Sequence, residues 1–274
     1  MFISTFLLLG CSSSNEDTSV AQNETGEQTD IEDLPAQEVF RVPERPWDLT
    51  ETAGGQILCS AQGGNKVYEW DPQTQERTEL NPPIPDVQNI FSHEDGTLYF
   101  TQTDNGVTGS LSMLIDRDIS VISSQADDGT LMRWPMDFVP TPTSDGNNNW
   151  VIADYNVGQL FVIGDNSVHL HPAGSSKPQS LLFVENTLYI GGEDGIFKMD
   201  WPNGTPEQID QRSGLALELV GNKVWSSNSN VGIFEVEGQP IGLQQAARPG
   251  SILSTSQGIF FADHVGEGIW LYAP

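Results

Sequence analysis

Five of the chain's 11 Lys and Arg residues occur in one recurring setting: Arg45 before Pro46, Arg133 near Pro135, Lys177 before Pro178, Arg212 before Gly214 and Arg248 before Pro249. Each leads into a short β-like run. Guanidinium and ammonium groups gathered this way bind carboxylates or phosphates through charge-assisted hydrogen bonds. In an otherwise acidic body they make one surface locally cationic. Trp47 and Trp134 lie beside two of them, and a Trp next to an Arg is a common interface anchor. The same residues also admit a structural reading, in which each cation pairs with a nearby carboxylate or stacks on an indole.

A second set stands a few residues further on, at the start of the same runs: Asp48, Asn89, Asp137, Ser180, Ala216 and Ser251. Read from residue type alone, five polar groups of this kind hold waters and cap backbone groups. His169 and His171 alternate in SVHLH and share one face of a strand, as a surface metal pair or as solvated decoration. His93 and His264 stand alone in loops. No Ser-His-Asp spacing, Walker loop or paired Cys motif is present, and no catalytic residue is assigned.

The elements that must position these residues form a repeat. Six β runs, QILCS, TLYFT, NWVIA, TLYIG, KVWSS and GIFFA, centre on Leu58, Tyr99, Val151, Tyr189, Val224 and Phe260, with spacings of 41, 52, 38, 35 and 36 residues. A second apolar pair follows each run except the second, where LSMLI is the best candidate. Another strand pattern precedes each run, and a polar alternating one follows. Four strands per unit of about 40 residues predict the blades of an all-β, six-bladed β-propeller over residues 39–274. The last unit lacks its fourth strand. Val39-Phe40-Arg41-Val42 is expected to supply it beside GIWLY, closing the ring and removing two open sheet edges. The inner strand of each blade then lines a channel, and the five cations gather at one mouth. The long loops SSQADDGTLMRWPMD and TDNGVTGS are expected to form a raised lip there.

IADYNVGQLFVI and FADHVGEGIWLY resemble NHL-repeat blades. Glu44-Arg45-Pro46-Trp47 is similar to the Glu-x-Pro stretch that opens the first blade of the SMP-30/gluconolactonase family. That resemblance implies a lactone hydrolase with one divalent metal, Ca2+ or another, in the channel. Glu44, Asn89 and Asp137 take the places of its ligands. Ala216 offers no side-chain ligand, and no later Asp takes the place of the family's base.

The first ten residues, MFISTFLLLG, are apolar but too short to span a bilayer. With Cys11 they resemble a lipoprotein signal peptide, 1–11, ending at an acylated cysteine. Ser12 after it points, by the same resemblance, to the outer membrane facing the periplasm. Residues 12–38 carry eight acidic and no basic side chains, which predicts a disordered acidic linker. Residues 39–274 hold 30 acidic and 11 basic groups, a formal charge of −19, which disfavours nucleic acid. With Cys11 acylated, Cys59 has no disulfide partner. The combined expectation is a monomeric, lipid-anchored binding or scaffold module, with no cofactor, that takes a protein loop or small anionic ligand at one channel mouth. The alternative is the metal-dependent lactonase.

Overall fold

The computed structural model describes residues 36–62, 64–104, 106–142, 149–164, 166–241 and 249–273. Cys11, the signal segment, nearly all of the linker and Arg248 lie outside them.

Period-two alternation builds six antiparallel four-stranded sheets. In the first blade the second strand, Ile57–Ala61, is buried throughout, while the outer strand, Glu76–Glu79, is exposed throughout. Burial thus falls from the middle of the blade to its rim, as expected when blades pack face to face. The apolar clusters lie between blades. One joins Val151, Ala153 and Leu160 of the third blade to Leu181, Leu188 and Ile190 of the fourth. Met132, from the approach to the third blade, is fully buried in the cluster between the second and third.

The sixth blade is completed from the other end of the chain. Gln37–Arg41 pairs antiparallel with Gly268–Tyr272, with Glu38 opposite Trp270 and Phe40 opposite Ile269. Phe40 then stacks on Trp70 of the first blade at 5.5 Å, and Trp70 meets Phe260 of the sixth edge-on at 6.0 Å. The expected seam is therefore both hydrogen-bonded and packed.

The six innermost strands are Pro46–Glu51, Val87–Ser92, Pro135–Pro140, Pro178–Val184, Ala216–Val220 and Pro249–Thr255. Five of them shift register near their first residues, at Pro46/Leu49, Val87/Ile90, Pro135/Asp137, Pro178/Ser180 and Pro249/Ser251. A bulge re-aims a side chain. Here Asp48, Asn89, Asp137, Ser180 and Ser251 sit at or beside the shifts, and all five line the channel.

Candidate ligand-binding mouth and channel

The channel encloses a cavity of about 250 Å³ lined by all six inner strands. Three carboxylates face it, one from every second blade, and each reaches across to a backbone amide of the next blade. Asp48 accepts the Ile90 amide at 2.9 Å and the Ser251 hydroxyl at 2.9 Å. Asp137 accepts the Leu181 amide at 2.6 Å and the Phe138 amide at 2.7 Å. Glu218 accepts the Ser254 amide. Burial outweighs these donors and disfavours the charged forms. It pushes Asp48 up to about 6 and Glu218 up to about 8, and it holds Asp137 well above the usual carboxylate range, with the Asp48 charge adding to it. Glu218 had gone unnoticed in the sequence. Its signal is a lone charge at a channel-facing position of the apolar run LALELV.

The metal set implied by the family resemblance is not brought together. Asn89 and Asp137 line the channel. Glu44 does not: its carboxylate takes the Tyr68 hydroxyl at 2.6 Å and Lys66 at 3.3 Å, over the third strand of the first blade. These contacts hold the Glu44 pKa below its ordinary value, with Tyr68 the larger cause. Both oxygens of Asp137 already bind amides, and among the described residues no group of three or more His, Cys, Asp or Glu is placed to hold a metal. The residues present do not fit the ion, and no chemical step is derived through it.

The four described cations that lead into inner strands stand at one mouth, because every blade runs in the same sense. Their environments differ. Lys177 pairs with Glu193 at 2.8 Å, donates to the Tyr155 hydroxyl at 3.0 Å and lies over the Tyr155 ring at 4.9 Å. Arg212 pairs with Asp210 at 2.5 Å, donates to the Glu235 carbonyl at 3.2 Å and stacks on Phe234 at 4.0 Å. Arg45 and Arg133 are exposed, and neither guanidinium has an ion-pair partner among the described residues.

Both free cations adjoin aromatic pairs. Trp47, on the channel wall, meets His264 edge-on at 4.9 Å. Trp134 lies 5.8 Å from Tyr155, whose backbone amide donates to the Trp134 carbonyl at 2.9 Å. Asp154 fixes this corner by accepting the Arg133 amide at 2.7 Å and the Trp134 amide at 3.1 Å. Residues of the second-blade loop reach this corner. Thr103 donates its hydroxyl to the Arg133 carbonyl at 2.7 Å, Asn156 donates to the Gly106 carbonyl at 3.2 Å, and a Cβ on Gly106 would meet the Trp134 ring at 2.9 Å. Arg45 carries a further mark. Its φ of 65° lies in the left-handed region, where a non-glycine residue is strained.

The geometry has close counterparts among solved structures. The chain is a six-bladed propeller similar in structure to the gluconolactonases. A gluconolactonase from Xanthomonas campestris superposes with a TM-score of 0.72 at 13% identity, over 89% of this chain and 91% of that one. A virginiamycin B lyase from Staphylococcus aureus gives 0.60 at 15%, over 88% of this chain and 100% of that one. The extracellular domain of a putative hybrid two-component system from Bacteroides thetaiotaomicron gives 0.59 at 15%, over 86% of this chain and 34% of that one. Identities this low show a shared fold. No family model matches the chain, and no curated protein is significantly similar to it.

Proposed function

We propose that the protein is a non-enzymatic binding module that takes a carboxylate-bearing ligand, an acidic protein loop or a small organic anion, at the mouth bordered by Arg45, Trp47, Arg133 and Trp134. Lys177 and Arg212 frame this mouth rather than contact the ligand, because their charges are matched by Glu193 and Asp210. Cys11, acylated, and the acidic segment after it hold the module at the periplasmic face of the outer membrane.

The observation that carries this reading is Arg45. A charged residue is kept in a strained left-handed turn, exposed and without an ion-pair partner, in a chain whose formal charge is −27. Arg77, Arg117 and Arg133 likewise have no ion-pair partner among the described residues, and Arg117 also has a positive φ, of 76°; what sets Arg45 apart is its place at the channel mouth, two residues before Trp47 on the channel wall. Strain held at such a position is a pointer to function. The comparisons support a binding role in one respect only: the same fold serves as the extracellular domain of a sensor.

Tryptophan emission provides the test, since Trp47 and Trp134 adjoin the two arginines in the chain. Tetraglutamate and inorganic phosphate are titrated at low ionic strength into the full chain and into the Arg45→Glu/Arg133→Glu variant. A saturable change in the wild type that is lost in the variant supports the mouth. Equal responses in the two proteins reject it.

A further inference from the structure

His169 and His171 lie on the outer strand Val168–Pro172 of the third blade, where they sit opposite Val162 and Leu160. Residues two apart on a strand share a face, so both imidazoles point toward the fourth blade. Both line an open groove of about 610 Å³ between the blades, together with Thr141, Asn149, Trp201 and Asn203.

Two observations distinguish this groove from a solvated rim. His171 Nδ1 lies 2.9 Å from the Pro172 carbonyl. A carbonyl can only accept, so Nδ1 carries the hydrogen and the Nε2 lone pair is left free. This is the arrangement by which a metal-ligating histidine is usually oriented, its second nitrogen donating to a carbonyl or carboxylate. The second observation is Asn149. The residue lines the groove, and its Oδ1 is buried without a hydrogen-bond partner among the described residues, although such an atom is costly to leave unpaired.

We infer that the groove between the third and fourth blades binds a divalent transition-metal ion, with His169 and His171 as its imidazole ligands. Imidazole selects Zn2+, Ni2+ and Cu2+ over the hard cations Ca2+ and Mg2+. Two side-chain nitrogens make an open site, so water completes the coordination shell and the ion exchanges with solvent. Trp201, whose ring lies 5.6 Å from that of His171, reports on occupancy.

The test uses the tag-free full chain and two probes. Calorimetric titration with Zn2+ is expected to give one binding event, weakened about ten-fold or more by His171→Ala and lost in His169→Ala/His171→Ala, with His93→Ala unchanged. Ni2+ is expected to quench part of the tryptophan emission, and Trp201→Phe removes that part. Both histidines sit on an outer strand, so the variants are expected to keep the wild-type Tm and far-ultraviolet spectrum. A Zn2+ isotherm that persists in the double variant overturns the inference, as does the absence of Zn2+ binding by the wild type. Quenching that survives Trp201→Phe in full places the Ni2+ elsewhere and overturns it as well.

Discussion

Asp137 accepts the amide of Leu181 at 2.6 Å across the boundary between the third and fourth blades. Asp48 does the same for Ile90 between the first and second, and Glu218 for Ser254 between the fifth and sixth. Three channel carboxylates thus tie the blades together in pairs, where the family resemblance implies a metal.

Their titration makes stability depend on pH in a defined sense. The folded-state pKa values of Asp48 and Glu218 are raised, to about 6 and about 8, and that of Asp137 is raised well above its ordinary value. The folded state therefore binds these protons more tightly than the unfolded chain. The associated stability is full below the unfolded values and is lost as pH rises through the folded ones. Tm is expected to fall by several degrees between pH 5 and pH 9, at about 2–4 °C per kcal/mol for a domain of this size. Glu218→Gln is expected to flatten the upper part of that slope; an identical slope in the variant contradicts the assignment.

The seam rests on Phe40 against Trp70 and Phe260. Phe40→Ala removes a largely buried ring and is expected to cost about 3 kcal/mol or more, read as a lowered denaturation midpoint. A loss below about 1 kcal/mol would mean that the first strand contributes little to closing the ring.

The paired cations differ in what they hold. Lys177 and Glu193 are nearly half exposed, at 45% and 46%, so Lys177→Ala is expected to cost less than about 1 kcal/mol. Asp210 is only 7% exposed, and Arg212→Ala leaves its carboxylate buried without a cation and Phe234 uncovered. That variant is expected to lose about 2–3 kcal/mol. Equal losses in the two proteins would refute the distinction.

Cys59 is fully buried, and burial raises its thiol pKa well above the ordinary value. It is expected to resist thiol reagents in the folded protein and to react promptly in denaturant. Prompt labelling under native conditions would contradict its placement in the seam core.

Arg45 separates function from stability. Glycine adopts its φ of 65° without strain, so Arg45→Gly is expected to keep or raise stability, within about 1 kcal/mol, while weakening ligand binding. A variant that retains full binding would remove Arg45 from the site.

The ring and its seam were legible because apolar spacing reports strand faces directly, and because Phe40 alternates with its neighbours although no complete unit surrounds it. The mouth was legible as a set of positions but not as a set of free charges. Glu193, which matches Lys177, comes from a turn 16 residues further along the chain that the folded blade brings back, whereas Asp210, which matches Arg212, ends the outer strand Glu207–Asp210 only two residues before it. Glu218 was hidden for a related reason. It lies on the inner strand that lacks the early register shift, two residues past the channel position at Ala216 that the repeat pointed to. Arg45 precedes a proline, which biases it toward extended backbone, so its left-handed conformation gave no signal.

The most direct measurement of the central claim is recovery of bound proteins from native membranes by the intact chain, compared with the Arg45→Glu/Arg133→Glu variant at equal loading. The account predicts that partners held by the wild type are absent from the variant and are released from the wild type by raised salt. Identical recovery by the two proteins would contradict it.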